Sequence, residues 1–328
     1  MTRRDFITLL GGAAAVWPLA AHPQQPAMPV IGFLGSESPD RFEGRVRAFL
    51  QGLADMGYVE GRNFAIEYRW AEGKNDRLPQ LAAELVDRRV AVIAAIGGTP
   101  AALAAKAATS TIPIIFNTGG DPVKLGLVKS LNHPSGNLTG VTPLGVEVGP
   151  KRLELVHELV PDANVVALLV NPSNPTLAET VSRETLIAAK TLGLQLHVLR
   201  AATESDFDAV FESLKEKRAG ALVIGTDIFF SARSEKLAML TVRHAVPAIY
   251  QYHEFAAAGG LMSYGGSLSG AYRQVGVYTG RVLKGESPAD LPVQQATKVE
   301  LIINMKTAKT LGITVPLSLL GRADEVIE

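Results

Sequence analysis

Apolar runs, each closed by small polar residues and followed by a helical stripe, recur along this chain. The plainest is Val165 to Pro175, VVALLVNPSNP. Its continuous apolar opening suits a strand buried on both faces of a parallel sheet. Asn171, Ser173 and Asn174, set between Pro172 and Pro175, then form a polar turn before the next helix. Val30 to Pro39, VIGFLGSESP, has the same form. Strand, short polar turn and helix start together place ligand-facing groups at the carboxyl edge of a sheet. Two such starts, far apart in the chain, predict two α/β lobes with a gap between their polar edges.

The remaining pattern fills in both lobes. Val30–Leu34 reads as a strand, and Ser38 and Pro39 can cap and start the helix that follows. Phe42, Val46, Phe49, Leu50, Leu53 and Met56 fall at helical spacing, with Gly57 as a stop. Phe64, Ile66, Tyr68 and Trp70 alternate as a strand. A helix through Leu78–Val86, a buried strand at Val90–Ile96, and a helix after Gly97-Gly98-Thr99-Pro100 follow, with Thr99 as the expected N-cap. Ile112–Phe116 and Leu138–Val141 complete the first set of strands. The second set runs through Val165–Val170, Leu194–Leu199, Ala221–Gly225, Pro247–Tyr250, Leu261–Tyr264 and Val299–Ile303, with helices between. Alternation of strand and helix predicts parallel sheets covered on both faces.

Composition narrows the class. The chain has 328 residues, 47% of them hydrophobic, so two globular domains fit. Lys+Arg and Asp+Glu are 32 each, a formal net charge of +0, and nothing asks for nucleic acid. Without cysteine, thiolate metal sites, thiol catalysis and disulfides are excluded. Arg3-Arg4 precede a short apolar run from Ile7 to Leu19, with small residues at Ala20 and Ala21. That pattern reads as a secretory signal and resembles the twin-arginine type, with cleavage expected near Ala21. At about 15 residues and broken by Pro18, the run is short of the roughly 20 needed to span a bilayer. No stable membrane span is expected after cleavage.

The carboxyl-edge loops supply the candidate ligand contacts: Ser36, Ser38, Thr99, Thr118, Asp121, Asn171, Ser173, Asn174 and Asp227, with Tyr250, Tyr252 and Tyr264 near later edges. Hydroxyls, amides and helix N-termini suit a carboxylate, a lone acid such as Asp121 or Asp227 suits an amine, and rings suit an apolar portion. Several have a plainer use: Thr99 and Asp227 can cap helices, Asp121 and the two asparagines can hold turns, and the tyrosines can pack. No dinucleotide fingerprint, phosphate loop or nucleophile elbow is present, and the histidines lack metal spacing. No catalytic residue, metal or cofactor is expected.

An ordered series of segments resembles one known family. It comprises the twin-arginine start, IPIIFNTGGDPVKLGLV, GNLTGVT, LVNPSNP, AGGLMSYG, LKGESPADLPVQQATKVELIINMKTAKTLG and the closing LLGRADEVIE. Together they resemble ABC-transporter substrate-binding proteins of the tryptophan/tyrosine type. The resemblance implies an α/β type I periplasmic-binding-protein fold: two Rossmann-like lobes with parallel sheets, joined by a crossover hinge and closing on a solute. It implies a permease and an ATPase as partners and a periplasmic location, with an amino acid or aromatic carboxylate as ligand. On this basis residues 1–27 are signal and tail. Residues 28–143 with about 266–287 form lobe one, and 144–265 with about 288–328 form lobe two. A sensory ligand-binding protein of the same fold, or an exported α/β enzyme, are the alternatives.

Overall fold

The computed structural model describes residues 28–296 and 298–328, so the expected export signal lies outside the described residues. In chain order the first lobe contains β1 (Val30–Gly35), α1 (Pro39–Asp55), β2 (Ala65–Trp70), α2 (Leu78–Asp87), β3 (Val92–Ala95), α3 (Gly98–Ala108), β4 (Ile114–Asn117) and β5 (Leu138–Thr142). The second contains α4 (Gly149–Leu159), β6 (Val165–Val170), α5 (Pro175–Thr191), β7 (Gln195–Arg200), α6 (Asp206–Glu216), β8 (Ala221–Ile224), α7 (Ile228–Ser231), α8 (Ser234–Arg243), β9 (Ala248–Tyr250), α9 (His253–Ala257) and β10 (Met262–Gly265). The chain returns as α10 (Leu268–Leu283) and β11 (Gln294–Gln295). It then crosses again to β12 (Glu300–Asn304), α11 (Met305–Thr310), α12 (Leu317–Leu320) and β13 (Glu325–Ile327).

The strands form two sheets, ordered β11-β5-β4-β3-β1-β2 and β13-β12-β10-β9-β8-β6-β7. The first five strands of each half repeat one topology, with the second strand flanking the first and the third on its other side. This is a doubly wound order whose switch point lies between the first and third strands, where the first strand's loop and the third's face a crevice. Nearly fully buried strands such as VIAA and ALVI carry no alternation because helices cover both faces.

Two features depart from the sequence reading. The segment from 288 was expected in lobe two, yet β11 pairs with β5, and Thr139 Oγ1 donates to the Leu291 carbonyl at 2.6 Å. The passage to the second sheet therefore falls between Gln295 and Glu300. The second sheet is also not wholly parallel, because β12 runs antiparallel to β10. Among the described residues no crossover helix separates β11 from β12, so the chain enters at the carboxyl edge and runs back along its neighbour.

Three crossing segments join the lobes, and they meet at Gly266. A Cβ there would stand 3.1 Å from both the Pro143 carbonyl and Ala296 Cβ, and 3.7 Å from the Lys298 carbonyl. Within lobe one, α1 and α10 pack backbone to backbone. A Cβ on Gly52 would overlap the Arg273 carbonyl, and one on Gly276 would overlap that of Phe49. Close helix approach is thus written into two glycines. Gly52→Ala should lower unfolding free energy by about 2 kcal/mol or more through overpacking, read by denaturant titration. Ala at the exposed helical Gly44, where a Cβ meets nothing within 4 Å, should be neutral or stabilising.

Candidate functional site

The loops after β1, β3 and β4 face those after β6, β8 and β9 across the cleft. At the centre is Asp227, only 5% exposed. Asn171 Nδ2 donates to its Oδ1 at 2.8 Å and Asn174 Nδ2 to its Oδ2 at 2.9 Å. The Phe229 amide also donates to Oδ1, at 2.9 Å, which makes Asp227 the N-cap of α7. Tyr250 donates its hydroxyl to the Asp227 carbonyl at 3.2 Å. Burial pushes the Asp227 carboxyl above its usual range, and these donors pull against that shift. The VNPSNP turn and Asp227 therefore form one rigid rim. With three donors already on the carboxylate, its first task is to hold that rim.

On the facing lobe, Thr99 does not cap α3. Gly97 occupies the N-cap, and Thr99 Oγ1 instead shares a 2.7 Å hydrogen bond with Thr118 Oγ1. Glycine is required here because Gly98 has φ +78° and a Cβ on Gly97 would strike the Ser36 amide. Ser38 stands at the N-cap of α1 without a side-chain cap bond. Asp121 is spent on its own turn, accepting from the Val123 and Lys124 amides at 2.8 and 3.2 Å. Ser36 is buried with an unpartnered hydroxyl. Tyr264 packs against the second-lobe core.

Between the rims is a cavity of about 30 Å³, room for a water or two rather than a solute. Of the residues expected from sequence, Thr99, Asn174 and Asp227 line it. Asn117, Thr226, Tyr252 and Tyr272 line it too, and of these only Tyr252 was singled out by sequence. Asn117 ends β4, and its position at a strand's carboxyl edge was the available signal.

Charged residues that sequence reasoning passed over tie the lobes together. Glu37, after β1, accepts from Arg233 Nη1 at 2.9 Å, and both side chains are nearly buried. Arg233 also pairs with Glu204 at 3.0 Å, as do Arg41 from α1 at 2.6 Å and Lys236 at 2.8 Å. Asn75 donates to the Ser173 carbonyl at 3.2 Å beside them. At the hinge side, Arg152 is 1% exposed and donates to the Gly145 carbonyl at 2.7 Å, Thr226 Oγ1 at 3.0 Å and the Tyr264 carbonyl at 3.3 Å. Burial lowers its pKa to about 10, so it stays cationic at neutral pH. A Cβ on Gly119 of lobe one would lie 2.6 Å from Thr226 Cγ2, so glycine there lets the rims touch.

Among the described residues no group of three His, Asp or Glu is placed to hold a metal ion. The set offers paired polar rims, aromatic faces and reversible ion pairs.

Two outcomes follow. Asp227→Ala leaves three buried N–H donors, the side-chain amides of Asn171 and Asn174 and the Phe229 backbone amide, without this acceptor and should cost about 2–3 kcal/mol in urea unfolding. Burial, outweighing the Arg233 charge, raises the Glu37 pKa above its ordinary value. The contribution of Glu37 to stability is therefore fullest below the unfolded-state value of about 4.5 and declines as pH rises through the raised folded-state value. Melting curves from pH 7 down to pH 4 should show wild type gaining on Glu37→Gln as pH falls, whereas a constant gap would contradict this.

Residues 31–327 match the family described as ABC transporter substrate binding protein. A tyrosine-binding protein of Clostridioides difficile (strain R20291) is 30% identical over 268 residues, 81% of this chain and 76% of the relative. The solved conserved domain protein from Vibrio cholerae O1 biovar eltor superposes with TM-score 0.82 at 26% identity, covering 91% of this chain and 99% of that one. An ABC domain from Streptococcus pneumonia in complex with L-Trp gives TM-score 0.78 at 26% identity, covering 90% and 100%. Two lobes of the periplasmic-binding-protein kind, and a family match over almost every described residue, have one reading: the chain belongs to the ABC transporter substrate-binding proteins, which bind a solute and do not transform it.

Proposed function

We propose that this chain captures a free amino acid or an aromatic carboxylate between its lobes and hands it to membrane permease and ATPase subunits. The observation that carries this reading is the convergence of uncharged polar side chains and tyrosine rings from both lobes on one enclosed space. Asn117 and Thr99 come from one side, Asn174, Thr226 and Tyr252 from the other. Such a surface binds by hinge closure: the solute stabilises the closed arrangement through contacts to both rims at once. The binding of tyrosine by one relative and of L-Trp by another supports an amino acid over a sugar.

Location belongs to the same proposal. The paired arginines and short apolar run support export by the twin-arginine route with cleavage near Ala21. Among the described residues no helix is long and apolar enough to cross a membrane. Residues 28–142 with 267–296 act as one jaw, and 143–266 with 298–328 as the other.

Differential scanning fluorimetry against the standard L-amino acids and simple aromatic carboxylates tests the reading. A true solute at about 100 times its Kd adds about 2.7 kcal/mol and should raise the melting temperature by about 5 °C. If every compound of both classes leaves the melting temperature unmoved at millimolar concentration, the proposed solute class is wrong.

A further inference from the structure

Ile228 opens α7, directly after the N-cap Asp227. From Ala221 to Ser231 every residue is buried except Ile228. Its side chain meets Gly98 of the opposite lobe: a Cβ added to Gly98 would lie 3.5 Å from Ile228 Cβ and Cγ2 and 3.7 Å from Cδ1. Gly98 is likewise only partly buried, so both facing residues keep accessible surface. Ile228 also borders two spaces at once. One is the cavity of about 30 Å³ between the rims, and the other, of about 10 Å³, reaches Glu37, Asn75 and Asn171. Asp227 and Ile228 are the residues common to both, so the Ile228 side chain stands in the partition.

The other walls are tied down. Asp227 holds Asn171 and Asn174, Thr99 holds Thr118, and the Tyr272 hydroxyl donates to the Ile96 carbonyl at 3.2 Å. Leu177, Leu268 and Tyr252 belong to the lobe cores. Ile228 is different: it is apolar surface turned from a fixed rim toward the other lobe, with no side chain opposite. A β-branched side chain is stiff at χ1, so on a fixed rim it gives the space a fixed width. In a solute site, polar groups set orientation and apolar surface takes up the solute's apolar part. Any solute of the proposed class exceeds two spaces with room for only a few waters. The rims therefore stand further apart around it, and Gly98 and Ile228 face each other across it.

We propose that Ile228 sets the size of solute that the cleft accepts, with the solute's apolar portion lying between Ile228 and Gly98. This rests on the reading of the protein as a binder of amino acids or aromatic carboxylates, and it names the residue that selects among them. Bulk at position 228 is the ceiling. Trimming it joins the two spaces, and adding to it closes the gap.

Calorimetric titration with two graded series tests the assignment: L-alanine, L-leucine, L-phenylalanine and L-tryptophan, then benzoate and 1-naphthoate. Ile228→Ala should raise affinity for the larger members relative to the smaller by about tenfold or more over wild type. Ile228→Val should move the ratio the same way by less, and Ile228→Phe should move it in the opposite direction. Because Ile228→Val removes a single methyl group, it carries the test if either of the others does not fold. Affinity ratios that stay within about threefold of wild type in every variant overturn the assignment, even where all affinities fall together, since Ile228 would then serve closure alone. That result leaves the wider reading standing. If wild type binds none of the compounds but Ile228→Ala binds the larger ones, the ceiling is supported directly. If neither protein binds any, the proposed solute class falls, and the role of Ile228 with it.

Discussion

The carboxylate of Glu37, buried at the boundary of one lobe, finds its counter-charge on the other. That constraint organises the cleft. Glu37 is enclosed by its own loop, and the cation that answers it, Arg233, stands on the opposite rim beside Glu204. A contact between two apolar faces would have glued the lobes together. An ion-paired contact can be exchanged for water at modest net cost, because gain and desolvation nearly cancel. Lobes held this way can part and rejoin, as a protein that loads and unloads a solute requires.

The remaining polar architecture keeps the rims from deforming as they meet. Asn171 and Asn174 fix Asp227, Asp227 fixes the start of α7, and α7 leads directly into Arg233. Arg152 performs the same task nearer the hinge, linking the crossing segment at Gly145 to the loop at Thr226 and the strand end at Tyr264. Motion is left to the three crossing segments around Gly266, where a side chain would crowd them. Rigid rims on a narrow hinge give a closure that is nearly rigid-body.

Much of this was legible from the sequence. VVALLVNPSNP and VIGFLGSESP announced strands ending in polar loops, and the structure places both at cleft edges. Asn174 and Asp227 were identifiable because short polar residues after an apolar run have few other places to be. Glu37, Arg233 and Arg152 were not, because each reads as an ordinary charge on a helix or loop until the partner lobe or crossing segment covers it. Thr99 misled for a local reason: a positive φ at Gly98 moves the helix start back, so the hydroxyl points to Thr118 instead of the helix amides. The two-residue β11 and the reversed β12 were hidden because their placement follows the hinge crossing and not any periodicity.

The central claim is that the two lobes are jaws that move on binding. The absence of cysteine makes it directly measurable. Spin labels at Lys74→Cys and Glu179→Cys, exposed positions on opposite lobes near the rim, report the gap by pulsed dipolar spectroscopy. Adding a millimolar mixture of the standard L-amino acids should shorten and narrow the distance distribution. A distribution that is identical with and without them would contradict the account.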